Sequence, residues 1–229
     1  MFLEGELLTH QQLNVRVSAW LRAAILNGQI KPGEWIRQKR IADALGVSQM
    51  PVREALKELV AWGLVEHIPY RGARVIQLSL DDISDLFAQR ANLEGRAARA
   101  SAGALTSEEM DRLYGLQTEM EASLFPENVN QYRGCNREFH QIIYRASKRD
   151  YLIRTLDQIW VTFPTMLFGS FPQTANRLVP RTEIPDIQEH HAILDALAAC
   201  KPALAERVMR DHIRHAGREL VSFLKELGV

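Results

Sequence analysis

The sequence predicts a mainly α chain: an N-terminal winged helix-turn-helix over residues 1–78, followed by an all-α antiparallel six-helix bundle over residues 79–229. Three patterns predict this fold. Two short helical patterns meet at a Gly-Val turn near residue 46, two β-like runs follow the third helix, and helical periodicity continues from residue 81 onward. At 229 residues and 46% hydrophobic side chains, the chain is long enough for two domains, each with its own core.

The first two helices are predicted by apolar spacing between turn residues. Apolar side chains recur at helical spacing over residues 11–27, and Gly28 stands where such a helix would end. Pro32 and Gly33 then indicate a turn. A short second helix is expected over residues 38–45.

The third helix is expected to begin after Ser48, whose hydroxyl can accept a hydrogen bond from the free amides of the first turn. Pro51 falls in that turn, where a missing N–H costs little. One side of the helix is apolar and the other is polar. The apolar side contains Val52, Ala55, Leu56 and Leu59, and the polar side contains Gln49, Arg53 and Lys57. After it, "LVEHI" and "ARVIQL" are joined by "PYRG", which predicts a β hairpin, or wing.

The bundle is predicted to contain six helices connected by short loops. Their expected ranges are about 81–104, 106–124, 128–147, 149–168, 184–200 and 202–227. Thr106 and Glu109 have the spacing of a capping box. The stretch "GSFPQTANRLVP" at 169–180 is expected to be a long irregular connection.

Composition limits the class of protein. The formal net charge is zero, but residues 1–78 contain ten Lys/Arg against seven Asp/Glu, a small basic excess in the first domain. Cys135 and Cys200 are too few for a disulfide framework and are expected to be buried free thiols. Neither a secretion signal nor an apolar run that could span a membrane is found, which favours a cytoplasmic location without membrane contact.

The polar side of the third helix suggests DNA recognition. In a helix-turn-helix this helix enters the major groove, so Ser48, Gln49 and Arg53 would meet base edges or phosphates. Other basic residues extend the predicted surface: Lys39 and Arg40 before the turn, and Arg71 and Arg74 around the wing tip at Gly72. Any one of these side chains alone could be an ordinary solvated residue, and the ordered set is what indicates DNA binding.

The segments "AAILNGQIKPGEWI" and "RIADALGVSQMPVREALKELVAWGLVEHIPYRGARV" resemble the GntR family of bacterial transcription regulators. The resemblance implies a homodimer that binds operator DNA with a short inverted repeat. It places Lys39, Ser48, Gln49, Arg53 and Gly72 at family contact positions. Position 49 is commonly Arg in such sequences, and Gln49 should change the base preference.

Polar residues fall on apolar faces of the predicted bundle helices. Arg90 and Glu94 share a face with Ile83 and Phe87, and His212 shares one with Met209. Asn136 and His140 are one helical turn apart. Spacing alone does not choose between His190 and His191 as the inward residue.

Burying such groups is costly unless each finds a partner. One solution is mutual hydrogen bonding among core residues. The other is a divalent metal bound by three imidazoles, with an Arg contacting the carboxylate of an anionic ligand. These spacings form no local metal motif, so both solutions stay open at the level of the residues.

The second domain resembles the FCD effector domain, in the FadR subfamily and its VanR-like branch. The matching segments are "RANLE" at 90–94, "NREFH" at 136–140, "EHHAIL" at 189–194 and "VMRDHI" at 208–213. The resemblance implies a metal site at Asn136, His140, His190 and His212, with His215 as a fallback ligand and Arg90 as the contact for an effector carboxylate. The first position is usually Asp, and the neutral Asn136 should weaken the site or leave more of the coordination to the effector.

The sequence therefore predicts a ligand-responsive transcription regulator, a repressor that senses a small organic acid and is not an enzyme. Zinc, nickel and manganese all fit a set of three imidazoles and one amide. The alternatives are a regulator that responds to the metal without an organic effector, a constitutive DNA-binding protein with structural histidines, and a metal-dependent hydrolase.

Overall fold

The computed structural model of the chain describes residues 10–124, 128–170 and 185–228. The described residues form two compact units, one that contains residues 10–78 and 161–170 and another that contains residues 79–124, 128–160 and 185–228. Most of the connection predicted at 169–180 lies outside the described residues. Within the described ranges, no helix combines the length and the apolar character needed to cross a membrane.

Residues 10–78 of the first unit contain three helices and a small antiparallel sheet. Its elements are α1 (His10–Leu26), β1 (Trp35–Ile36), α2 (Gln38–Leu45), α3 (Gln49–Ala61), β2 (Val65–Ile68) and β3 (Gly72–Val75). The predicted helices and the predicted hairpin are all present. The strand order is β1-β3-β2, so the sheet has a third strand, β1, which was not predicted and follows the turn predicted at Pro32 and Gly33.

The core of the first unit lies beneath the apolar side predicted for α3. Val52, Ala55 and Leu59 are fully buried there, together with Leu21 of α1. Gly46 ends α2 with a left-handed φ of 67°, which allows the chain to turn sharply into α3. The prediction of a tight turn between two packed helices is therefore confirmed.

The second unit is all-helical among the described residues. Its helices are α4 (Leu80–Ser101), α5 (Ser107–Ala122), α6 (Val129–Ala146), the first part of α7 (Asp150–Ser170), α8 (Pro185–Ala198) and α9 (Pro202–Glu226). Residues 161–170, the second part of α7, are grouped with the first unit. All six predicted helices are present. The largest difference is at the end of α4, which stops at Ser101 because Ala102 turns to extended backbone and Gly103 has a φ of 88°.

Two helices of the second unit begin with a capping box. Ser79 and Asp82 form a capping box at α4, and Thr106 and Glu109 form the predicted one at α5. The predicted side-chain cap at Ser48 is wrong, because its hydroxyl makes no such bond although its backbone has cap geometry. The third residue of α3 is Pro51, which has no N–H to donate.

Helices α4 and α9 pack closely because each contributes a glycine to their contact. A Cβ at Gly217 would lie 2.6 Å from the Cβ of Phe87, and a Cβ at Gly95 would lie 3.0 Å from the carbonyl oxygen of Glu206. The contact at Gly217 is closer than real Cβ atoms come, so a side chain there would force the helices to shift. At Gly95 a Cβ would press on the backbone of α9 and require a smaller adjustment.

The two cysteines are free, as predicted, but differ in exposure. Cys135 is buried on α6, where its Sγ lies 3.4 Å from a carboxylate oxygen of Glu119. Cys200 is exposed, so the expectation that both thiols are buried is wrong for this residue. It follows the end of α8 in a left-handed conformation, at a turn on the surface of the bundle.

Candidate DNA-binding surface and metal centre

The start of α3 presents its predicted polar residues to solvent. Ser48, Gln49 and Arg53 are exposed, on the side opposite the buried Val52. In the part of the chain that the structure describes, no hydrogen bond or ion pair occupies the Arg53 guanidinium. The arrangement leaves a hydroxyl, an amide and a guanidinium available on one surface, which are groups that contact base edges and phosphates.

The remaining predicted DNA contacts lie before the turn and on the wing. Lys39 and Arg40 are exposed in the first turn of α2, and Arg71 is exposed at the wing tip beside Gly72. Arg74 behaves differently, because its guanidinium lies 2.6 Å from a carboxylate oxygen of Glu66 and above the ring of Trp35. Arg74 therefore joins the strands of the sheet.

Three buried histidines from three helices meet in the second unit. They are His140 of α6, His190 of α8 and His212 of α9, and one ligand atom from each lies within 4.8 Å of the others. His140 and His212 stack with ring centroids 5.4 Å apart, and His190 lies 4.6 Å from His212. The structure thus brings together the three imidazoles named by the family resemblance.

Glu94 of α4 orients the first of these imidazoles. Its Oε2 lies 2.6 Å from Nδ1 of His140, with both side chains almost fully buried. Burial would raise the pKa of Glu94, but Arg90 and His140 lower it to about 2, so the group is a carboxylate. It accepts the proton of Nδ1, and Nε2 of His140 is left with a lone pair for a metal.

The charge state of His140 also suits a metal ligand. Burial lowers the pKa of His140, and the neighbouring carboxylate of Glu94 only partly opposes this effect. The imidazole is therefore neutral at physiological pH, the form that offers a nitrogen lone pair.

Glu189, the first residue of the "EHHAIL" segment, orients a second imidazole as Glu94 orients His140. Its Oε2 lies 2.9 Å from Nδ1 of His212, and its Oε1 lies 2.6 Å from Nδ1 of His215. A carboxylate shared in this way fixes which nitrogen of His212 carries the proton. His215, the fallback ligand, is directed to Glu189 and lies outside the triad.

The structure also separates the two adjacent histidines of α8. His190 is fully buried in the triad, whereas the side chain of His191 is 53% exposed and its Nε2 lies 2.8 Å from a carboxylate oxygen of Glu121. Of the two registers that spacing left open, the one with His190 inward is observed.

Arg90 lies beside the triad, next to Glu94. Its Nε donates to Oε1 of Glu94 at 2.9 Å, and its guanidinium lies 4.2 Å from the ring centroid of Trp160. The ring of Trp160 is in turn 5.2 Å from that of His140. Arg90, Glu94 and His140 thus form one buried line of polar groups, bordered by an indole.

Asn136 is the remaining predicted ligand. It is half-buried one helical turn before His140, and its Oδ1 is buried with no hydrogen-bond partner among the described residues. An orphaned acceptor one helical turn before His140, together with the three clustered imidazoles, is a donor set that fits a divalent metal. The sequence did not predict that Glu189 and Trp160 belong to this site, and it predicted no partner for Glu94. The one sequence signal for the Arg90–Glu94 pair was their spacing of four residues on a helix.

A DNA-reading winged helix-turn-helix followed by a helical bundle with a buried polar site defines a class of protein: regulators that bind DNA and respond to a ligand. Residues 4–75 match the "Bacterial regulatory proteins, gntR family", and residues 85–215 match the "FCD domain". The chain belongs to the GntR family of transcriptional regulators and has an FCD effector domain at its C-terminal end.

Several regulators are similar to the chain over most of its length. It is 29% identical over 206 residues to the "Probable D-xylose utilization operon transcriptional repressor" of Paenarthrobacter nicotinovorans, covering 90% of this chain and 88% of that protein. It is 26% identical to McbR of Escherichia coli (strain K12), covering 90% and 93%, and 26% identical to the Glc operon transcriptional activator of the same strain, covering 89% and 87%. These relatives are DNA-binding regulators, so the hydrolase alternative is not supported.

Two solved structures share the fold. The structure of E. coli McbR/YncC superposes with a TM-score of 0.64 at 23% identity, covering 94% of this chain and 98% of that one. The structure of Lar, titled for its control of the Listeria monocytogenes agr system, gives a TM-score of 0.67 at 21% identity and covers 94% and 98%. The predicted fold class is confirmed.

Proposed function

We propose that this chain is a repressor that releases its operator when its FCD domain binds a small organic acid at a divalent metal site. Residues 1–78 bind an inverted repeat in operator DNA, and residues 79–229 bind the acid and form the homodimer. The observation that carries the proposal is the buried line from Arg90 through Glu94 to His140, because it links an anion-binding group to a metal ligand.

The DNA-binding residues divide by chemistry. Gln49 is suited to adenine and Arg53 to guanine in the major groove, while Ser48 contacts a phosphate. The remaining contacts, which position the domain on the backbone and the minor groove, are assigned to Lys39, Arg40, Arg71 and Gly72. The exposure of Lys39, Arg40 and Arg71 supports the assignment.

The metal ligands are His140, His190 and His212, with Asn136 as a neutral fourth. Zinc, nickel or manganese bound there would supply a positive centre that binds a carboxylate oxygen of the effector. The usual acidic ligand is replaced by Asn136, but the carboxylates of Glu94 and Glu189 lie one hydrogen bond behind two of the imidazoles. These anions offset part of the charge of a dication.

Arg90 couples the effector to α4. Its guanidinium donates to Glu94, so an acid that contacts Arg90 competes with Glu94 for the same cation. A change at Glu94 alters the hydrogen bond to His140 as well, because the two oxygens belong to one carboxylate. Both Arg90 and Glu94 lie on α4, which begins five residues after the wing strand β3 ends, so a shift of α4 is transmitted along the chain to the wing.

The relatives support a role in carbon metabolism without naming the ligand. The most similar one cited above is named for repression of a D-xylose utilization operon, and another is named as the activator of the Glc operon. We place the chain in the FadR subfamily and its VanR-like branch, and we assign it as a repressor by analogy with the first of these two.

A regulator that responds to the metal alone is the second candidate. It is favoured by the ion pair between Arg90 and Glu94, since Arg90 already has an anionic partner inside the protein. In that case the binding of zinc or nickel would change DNA affinity without any organic acid.

The test begins with a duplex that the full-length chain selects from a random pool. Release of this duplex is titrated with a panel of hydroxy acids and sugar acids, for the wild type, Arg90→Ala and the control Arg96→Ala, whose guanidinium is exposed on the same helix. We expect one acid to release the wild type and the control from the duplex at the same concentration. Arg90→Ala should need about tenfold more of that acid, because a charge-assisted contact to the acid is lost.

Equal release of all three proteins would remove Arg90 from the mechanism. Release that depends on a chelator but on no acid would favour the metal-responsive alternative.

A further inference from the structure

The tip of the wing carries an aromatic side chain that the fold does not use. Tyr70 is fully exposed, at 107% of its reference area, and no other large apolar side chain among the described residues is as exposed. The proposed DNA contacts of the wing tip are Arg71 and Gly72, and they do not involve Tyr70.

The backbone of Tyr70 is unfavourable for its residue type. Arg71 N–H donates to the carbonyl of Ile68 at 3.1 Å, which closes a four-residue turn with Pro69 second and Tyr70 third. Tyr70 has a φ of 62°. Proline followed by a positive φ is the pattern of a type II turn, in which the third position favours glycine or asparagine.

The other non-glycine residues with positive φ are explained by their positions. Lys148 and Cys200 each come just after a helix, where a left-handed residue commonly ends the element. Tyr70 is therefore the strained residue, among those described, that lies in a hairpin. Within the described part of the chain its ring and hydroxyl make no contact that would offset the strain, and such uncompensated strain points to a functional position.

We infer that Tyr70 contacts the minor groove of the operator; this rests on the proposed function, since it requires that the chain binds DNA. The ring packs against deoxyribose at the groove wall, and the phenolic hydroxyl donates to an N3 or O2 acceptor on the floor of the groove. Those acceptors are unobstructed in A·T pairs, whereas the guanine amino group projects between them. Tyr70 thus gives the wing a preference for A·T pairs outside the bases that α3 contacts.

The neighbouring charges favour DNA over a protein surface. Arg71, next to Tyr70, is exposed, and cations are drawn to a narrow minor groove. The acid nearest the tip in sequence, Glu66, is bound to Arg74 along the sheet. Residues 1–78 also carry ten basic against seven acidic residues. A protein-docking site would need a contiguous apolar patch, and the tip offers one aromatic ring.

The experiment compares stability with DNA affinity in Tyr70→Gly. The probe is the duplex that the wild-type chain recovers from a randomised pool, and Tyr151→Ala is the control because Tyr151 is 81% exposed on α7 of the bundle. We expect Tyr70→Gly to unfold at the same temperature as the wild type or a higher one, and to bind the duplex about tenfold more weakly. Tyr70→Phe should fall between Tyr70→Gly and the wild type, because it keeps the ring and loses the hydroxyl, and the control should keep all of the affinity.

A second duplex identifies the groove. Replacing adenines that flank the α3 contacts with 2,6-diaminopurine adds an amino group to the minor groove and leaves base pairing with thymine intact. This change should weaken the wild type about as much as Tyr70→Gly does, and should have little further effect on Tyr70→Gly.

Equal affinity of Tyr70→Gly and the wild type for the selected duplex would overturn the inference, as would equal sensitivity of both to diaminopurine. If the wild-type chain recovers no duplex at all, the proposed function fails and the inference fails with it. A loss of affinity accompanied by a lower unfolding temperature would also overturn it, because Tyr70 would then be a structural residue.

Discussion

Removal of the Glu189 carboxylate should weaken metal binding without unfolding the bundle. Glu189 accepts the Nδ1 proton of His212 at 2.9 Å, and so keeps Nε2 unprotonated toward the triad. A hydrogen bond to a charged acceptor contributes about 1.5–3 kcal/mol. At about 1.4 kcal/mol per factor of ten, Glu189→Ala should lower the affinity for zinc about 10- to 100-fold.

The assay is competition for zinc between the full-length protein and a chromophoric chelator at neutral pH, with thermal unfolding measured on the same samples. Glu121→Ala is the matched control, because Glu121 bonds the exposed His191 at 2.8 Å and should leave the affinity unchanged. Glu189→Gln keeps an acceptor oxygen and should fall between Glu189→Ala and the wild type. An affinity of Glu189→Ala within about threefold of the wild type would refute the reasoning, as would an equal loss in the control.

Three further predictions concern stability. Gly217→Ala should lower the free energy of unfolding, measured in urea, by about 1–3 kcal/mol, because its Cβ would overlap Phe87. Gly134→Ala should raise that free energy by about 0.5–1 kcal/mol, because no atom lies near its Cβ. Equal effects of the two substitutions would contradict the close packing of α4 and α9. Glu94→Gln should cost about 3–5 kcal/mol in the same assay, since a buried guanidinium loses its counter-charge, and a change below about 1 kcal/mol would count against that pair. The hydrogen bond from the Ser79 hydroxyl lowers the pKa of Asp82 below 3.8. The capping box should therefore contribute its full stability above pH 3.8 and lose it as the pH falls further. In Asp82→Asn the free energy of unfolding should depend less on pH in this acidic range.

Local patterns predicted the fold well because the helices are long and amphipathic. The apolar side of α3 and the glycine that ends α2 were both readable from spacing and turn chemistry. The strand β1 was not, because two residues have no periodicity and their pairing with β3 joins segments about 38 residues apart, Trp35 with Arg74. The predicted side-chain cap at Ser48 is absent for a reason that the sequence shows, since Pro51, the third residue of α3, has no N–H to donate.

The candidate site was predictable in its ligands and less so in its support. The ligand types could be named, but periodicity assigned His190 and His191 equally well, and packing of α8 decided between them. Glu189 could not be foreseen, because its partner His212 lies 23 residues away on another helix. The contact between Arg90 and Trp160 is equally non-local.

The two glycines at the contact of α4 and α9 bear on how a signal would leave the proposed effector site. Because little side-chain bulk separates their backbones at these two positions, we expect the two helices to tilt together as one rigid pair. If the fulcrum lies near Gly95, the start of α4 is about 22 Å away, at a rise of about 1.5 Å per residue. A tilt of about 5° there would displace the first turn of α4 by about 2 Å, comparable with the small helix shifts that propagate through allosteric proteins.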